Sequence, residues 1–381
     1  MIRNKILGLT LAVATAAVLA PNVALAEDPN HQTPLAQCTS NNGTPVSVSQ
    51  MIARLKGNAP IANDNSYQDL SQAKLDDLAA GVGYLLNGQS NLALPKLTSA
   101  GFSACWASMV SSAGSDTVLI YDRDALFTDA DGNTLSNGRS FMVFKRGETW
   151  PTNPINLSVP HTVDEANISE MASAALRDQP QHVYSAVFSG VDRCNSTTNS
   201  DDNGTTSECN NHYKKSDMAH RWDNTSTTVL GSALTDFQVM HDELRQYSPD
   251  SFNLQLHGMG GTDSAGFEMS NSNPNATNGS LNDAVARAHQ AYSAALLQVI
   301  PTSQTAERTK HTTCTAYQNS AGVDVAITDR SPRRCGVNSD QGQRDRADGN
   351  GDRWLHLEIS TYIRANHRDA IQNAFAAIRD E

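Results

Sequence analysis

The sequence predicts an α/β protein: a mixed, largely parallel central sheet with helices on both faces and a helical extension at its N-terminus. Two observations carry the prediction. From about residue 117 onward, short apolar runs of strand character alternate with stretches of helical periodicity. The chain is also long enough, at 381 residues, to bury a large core without relying on cross-links.

Residues 1 to 26 read as a secretory signal. Arg3 and Lys5 precede an apolar run from Ile6 to Leu19, and Ala24-Leu25-Ala26 offers small residues at the cut. The segment holds two cations and no acids, so its removal takes the formal charge from −12 to −14. So acidic a chain is a poor partner for nucleic acid or an anionic membrane surface. No later window is apolar for the roughly 18 residues that a membrane span needs. The expected compartment is the periplasm or the medium, with cleavage after Ala26.

From Glu27 to about Ser66 the chain is rich in Asn, Pro, Ser and Gln, with one amphipathic piece at Val48 to Leu55. Tyr67 to Leu86 has Leu70, Leu75, Leu78, Val82 and Leu85 at helical spacing. Residues 27–116 therefore read as an arm and helical extension, and 117–381 as the α/β domain. Strand signals follow at Thr117 to Tyr121, Ser140 to Lys145 and Ile155 to Val159, where Pro160-His161 breaks the run. Glu165 to Leu176 is helical, Val183 to Phe188 a strand, Thr225 to Leu244 helical and Phe252 to Leu256 a strand ending at His257-Gly258. A helix from Asn282 to Val299, a strand from Trp354 to Ile359 and a helix from Asn366 to Ile378 complete the chain.

Six cysteines in an exported chain, without a CxxC pair, read as disulfides. The favoured pairing is Cys194 with Cys209 and Cys314 with Cys335, each closing a short polar loop, which leaves Cys38 with Cys105. The acidic runs Asp129 to Asn133 and Asp345 to Asp352 lack the register of an EF-hand and read as solvated turns. A GxSxG elbow, HExxH and a phosphate-binding glycine loop are all missing, which disfavours serine α/β-hydrolase, helical zincin and nucleotide readings.

Candidate chemistry falls at strand ends, where open α/β sheets form their sites. His161, His257 and the His356-Leu357-Glu358 run all lie there, with Asp164 and Glu165 on the loop after His161. Two imidazoles, a carboxylate and a water make a catalytic zinc set with one open position. Glu358 shares a strand face with His356 and, if buried, needs a cation or a salt bridge as company. Arg193 has the planar fork to hold a substrate carboxylate, or else forms a surface ion pair. Asp217 and His220 can face the same crevice, although Ser216 or Asp217 also reads as a helix cap. His182, His212, His241, His289 and His367 read as polar or helix-surface histidines.

The run from Ser158-Val159-Pro160-His161 through Asp164-Glu165 to Ser169-Glu170 resembles the first metal motif of the zinc-dependent carboxypeptidase-like hydrolases, nearest to the N-formylglutamate amidohydrolases and poly-γ-glutamate hydrolases. Gln255-Leu256-His257-Gly258 resembles their second ligand histidine, and Trp354 to Ser360 their C-terminal strand with the catalytic glutamate. The ordered trio spans roughly residues 155 to 380. The resemblance implies a fold of the carboxypeptidase and phosphorylase/hydrolase-like kind. It implies Zn2+ as cofactor, His161, Glu165 and His257 as ligands, and Glu358 as general acid/base. It also implies a substrate carboxylate on Arg193. In the carboxypeptidases the first His and Glu are separated by two residues, whereas Glu165 lies four beyond His161, so Asp164 and Glu170 are rival ligands. The expected function is a secreted zinc amide-bond hydrolase acting on an N-acyl amino acid, a peptide or a γ-glutamyl substrate. The alternatives are an inactive binding protein on the same scaffold and a metal-dependent phosphoesterase.

Overall fold

The computed structural model describes residues 35–39, 43–63, 65–109, 117–123, 138–146, 150–199, 209, 214–219, 235–259, 266–270, 284–313, 317–318, 324–325, 339–347 and 353–379. They belong to one compact unit, Thr33–Glu381. The signal segment, His220, Cys314, Cys335 and the acidic run at 129–133 lie outside the described residues. Among those described, no helix is long and apolar enough to cross a membrane.

The first helix among the described residues is α1 (Val48–Gly57), started by a reciprocal capping box between Ser47 and Gln50. The helices α2 (Gln72–Leu86) and α3 (Ser90–Ala100) pack so closely that a Cβ on Gly81 would meet the Leu97 side chain at 2.8 Å. Four strands follow: β1 (Phe102–Ala107), β2 (Thr117–Asp122), β3 (Phe141–Lys145) and β4 (Ile155–Val159). Next come α4 (Ile168–Asp178), β5 (Val183–Phe188), α5 (Asp236–Tyr247), β6 (Phe252–Met259), β7 (Phe267–Ser270) and α6 (Ala284–Val299). The C-terminal part holds α7 (Thr305–Thr309), β8 (His311–Thr313), β9 (Tyr317–Gln318), β10 (Asp324–Val325) and α8 (Asp340–Ala347). It closes with β11 (Trp354–Ser360), α9 (Thr361–Asn366), α10 (Arg368–Asn373) and a 3-10 turn at Phe375–Ile378.

Among the described residues, nine strands form one sheet in the order β1-β2-β3-β5-β4-β6-β11-β7-β8. The central block β5-β4-β6-β11 is parallel, and antiparallel pairings join it to β3 on one side and β7 on the other. The fold is thus α/β on a mixed sheet. The sheet begins with β1, upstream of residue 117, and Cys105 on that strand is bonded to Cys38. Cys194 is bonded to Cys209. Both bridges suit an oxidising compartment.

The two faces of the parallel block differ. Residues directly opposite across strands share a face. One face carries Leu157, Leu254, Leu256, Leu355, Leu357 and Ile359, all buried in a core that also holds residues of α1, α4, α6 and α10. Each such side chain contributes roughly 1.5–3 kcal/mol by leaving water. The other face is polar: Asn156 and Asn253 lie in one row, Ser158, Gln255, His356 and Ser270 in the next, and His257, Glu358 and Glu268 in the last. Helices α5 and α8 cover much of it with matching polar groups. Ser158 Oγ lies 3.2 Å from His241 Nδ1, Gln255 donates to Gln341 Oε1 at 2.7 Å, and Asn253 donates to Asp345 Oδ2 at 3.0 Å. Further along the same face, toward β2, the surface turns apolar against α2, α3 and α5.

Three sequence expectations change here. His241 and His289 are buried rather than on helix surfaces, His241 because it bonds the polar sheet face and His289 because it packs on Phe267. Asp345 is not in a solvated turn but fully buried in α8, where Arg245 and Asn253 bond its two oxygens.

Candidate active site

The parallel strands β4, β6 and β11 end at one edge of the sheet, and each delivers a candidate residue there. Beyond β4 the chain turns at Pro160; Thr162 Oγ1 bonds back to the Val159 carbonyl at 2.9 Å, and the Glu165 amide donates to the His161 carbonyl at 3.1 Å. That helical turn makes His161 and Glu165 neighbours at i,i+4, so the four-residue spacing still converges. His161 Nδ1 lies 2.9 Å from Glu165 Oε1. His257 on β6 approaches the same oxygen, with Nδ1 at 3.5 Å. All three residues are buried, and one donor atom from each lies within 4.8 Å of the others.

The two imidazoles meet edge to face with ring centroids 4.6 Å apart. Tetrahedral zinc, with bonds of roughly 2.0–2.2 Å, spaces its ligands about 3.5 Å apart. The observed separations lie within a small side-chain adjustment of that spacing, so this donor set fits a zinc ion. Asp217 strengthens the fit: its Oδ1 lies 3.0 Å from His161 Nε2, the outer-shell carboxylate that orients a ligand imidazole. Sequence patterning places Asp217 in the crevice without foretelling this contact.

The surrounding charges set the protonation states. Burial alone would keep His161 neutral, and Arg193 opposes its charge too, but Asp217 and Glu165 outweigh both and raise it to about 10. Burial pushes Glu165 up, yet His161 and His257 hold it well below the usual carboxylate range. Oε2 of Glu165 accepts from the Gly258 amide at 2.6 Å, which turns Oε1 toward the two imidazoles.

Glu358 lies beside this cluster. It is the register partner of His257 on one side and of Glu268 on the other. Its side chain keeps 14% of its exposure, and Oε1 is 3.7 Å from His356 Nε2. Burial, and then the negative charge of Glu165, raise it to about 8. His257, His356 and Glu358 also bring donor atoms within 4.8 Å of one another, a grouping that the sequence alone does not single out.

Arg193 follows β5 and reaches into the site. Its Nη2 lies 3.1 Å from Glu165 Oε1 and its Nε 3.4 Å from Asp164 Oδ2, with 18% of the side chain exposed. Asp164 therefore engages Arg193, whose backbone amide it also accepts at 3.0 Å, and it is not part of the donor cluster. Burial and a hydrogen bond to Asp192 raise Asp164 to about 7. Glu170 is not in the cluster either: it sits in the first turn of α4, pairs with Lys56 at 3.0 Å and lines a groove of about 200 Å3 against α1.

No family model matches the chain, and no curated protein matches it. Among solved structures, a Shewanella denitrificans protein provisionally assigned as carboxypeptidase A aligns at 12% identity over 62% of this chain, with a TM-score of 0.33. The match spans 58% of that protein's chain. Succinylglutamate desuccinylase of Vibrio parahaemolyticus aligns at 12% identity over 81% of this chain and 83% of its own, with a TM-score of 0.31. Likenesses this distant say nothing of the chemistry of this chain.

Proposed function

We propose that the protein is an exported zinc-dependent hydrolase of amide bonds, acting on an N-acyl amino acid, a peptide or a γ-glutamyl substrate at or near a free carboxylate. The observation that carries this reading is the convergence of His161, Glu165 and His257 beside Glu358 at the ends of parallel strands. Export is supported by the leader-like sequence of residues 1–26 and by the two disulfides.

Zinc held by His161, Glu165 and His257 would polarise the scissile carbonyl, acidify a water towards neutrality and offset the Glu165 charge that lifts Glu358. Glu358 accepts the proton of the attacking water and returns it to the leaving amine nitrogen, so that the C–N bond breaks to a free amine and a carboxylic acid. Asp217 holds the His161 ring in place. Arg193, partly exposed beside the same cluster, would turn its fork from Asp164 and Glu165 to the substrate carboxylate.

Elemental analysis of the purified protein tests the reading. About one zinc per chain is expected, lost in His257→Ala, together with zinc-dependent release of free amine from N-acyl amino acids, peptidoglycan fragments or poly-γ-glutamate. Absence of bound metal after zinc loading sinks it. Stoichiometric zinc without turnover of any of these substrates would instead favour a binding protein on the same scaffold.

A further inference from the structure

One buried cation adjoins the three segments that carry the proposed ligands and Glu358 without belonging to the donor cluster. Arg364, on α9 just beyond β11, is 4% exposed. Its Nε donates to the Ala166 carbonyl at 2.8 Å, in the loop that carries His161 and Glu165. Its Nη1 donates to the Ile359 carbonyl at 2.5 Å, next to Glu358, and its Nη2 to Thr361 Oγ1 at 3.2 Å. The third segment is β6. A Cβ on Gly258 would fall 1.9 Å from Arg364 Nη1, so the guanidinium fills the space that a side chain directly after His257 would need. The Gly258 amide in turn donates to Glu165 Oε2 at 2.6 Å.

We propose that Arg364 is a positioning residue that locks the loop of His161 and Glu165 to the ends of β6 and β11, and so sets the distances among the metal ligands and Glu358. The inference rests on the zinc-hydrolase reading. The physical reason is the fork: three donors fixed in one plane reach two chain segments at once, while the guanidinium fills the space beside the third. Lysine, with a single ammonium on a flexible stem, cannot reproduce this. Gly258 is the reciprocal requirement, since any side chain there displaces the fork.

The experiment compares wild type, Arg364→Lys and Gly258→Ala for zinc affinity by chelator competition and for the imidazole 15N resonances of the metal-free proteins. Arg364→Ala is assayed with and without millimolar guanidinium. The expected result is zinc binding weakened by about 10–100-fold in both Arg364→Lys and Gly258→Ala, the range for a lost outer-shell contact. The resonances of His161 and His257 move while the fold persists, and added guanidinium partly restores zinc binding in Arg364→Ala. Wild-type zinc affinity and unmoved resonances in Gly258→Ala and Arg364→Lys would overturn the inference. If wild type itself binds no zinc, the parent reading falls, and the imidazole resonances still decide whether Arg364 positions the cluster. Should Arg364→Ala fail to fold, Gly258→Ala, which keeps the arginine, decides between the two outcomes.

Discussion

Glu358 faces His257 directly across the parallel pair of β6 and β11. The distance from the proposed base to the proposed ligand is thereby set by sheet hydrogen bonds rather than by a loop. Replacing Glu358 by Gln keeps the shape and the sheet but removes the proton acceptor. The expected outcome is a fall in kcat of about 10^2–10^4-fold, the usual worth of a general acid/base, with zinc content unchanged. Steady-state kinetics beside elemental analysis check it. Retained kcat in the variant would assign the proton transfer elsewhere.

Zinc binding should release protons. His161 has Asp217 against Nε2 and Glu165 against Nδ1, which together hold it as imidazolium to about pH 10. An ion at Nδ1 must displace that proton. Between the ordinary value of 6.5 and about 10, apparent zinc affinity should therefore rise about tenfold per pH unit. Without metal the sign of the stability effect is the reverse. A raised histidine pKa stabilises fully below 6.5, and that contribution is lost as pH climbs through about 10. Calorimetry in two buffers of different ionisation enthalpy should show at least one proton leaving per zinc bound. Affinity independent of pH would place the ion elsewhere.

The parts of the site that are legible in the sequence are those set locally. Period-two alternation puts His356 and Glu358 on one face of β11, and the strand break at Pro160 puts His161 at a strand end. What escapes is set by contacts between distant segments. Asp217 meets His161 across 56 residues, and Arg364 meets Ala166 across 198. No local pattern announces either one. β1 escapes because its burial alternates irregularly around Cys105, and β7 because its alternation of Phe267, Glu268, Met269 and Ser270 lasts only four residues. The polar residues of β4 and β6 give no sign of being buried, since what buries them is an equally polar pair of helices.

His289 offers a test away from the site. It is 5% exposed, and burial lowers it to about 4 against the opposing hydrogen bond with the His311 backbone. The unfolded chain binds a proton near 6.5 and the folded chain does not, so stability is intact above 6.5 and declines as pH falls towards 4. The shift corresponds to about 3 kcal/mol at most. Urea melts at pH 7 and pH 4.5 should show a smaller acid loss in His289→Leu than in wild type. Equal losses would mean that other groups govern acid sensitivity.

Asp217→Asn separates the orienting contact from the charge that it brings. The amide is isosteric, so its oxygen can still accept from His161 Nε2 and hold the ring. It no longer supplies the negative charge that helps raise His161, nor the basicity that a carboxylate lends to a ligand imidazole. Two opposed consequences follow in the metal-free and metal-bound states. The metal-free His161 loses its proton more readily, so less proton is released on zinc binding at pH 8. The bound imidazole is a weaker donor, so affinity at high pH, where the proton no longer competes, falls by about 10–100-fold. At low pH the easier deprotonation offsets part of that loss, and the affinity gap between variant and wild type should narrow. Measured from pH 6 to 9, a gap that widens with pH marks Asp217 as an electrostatic partner of a ligand histidine. A constant gap would mark it as packing alone.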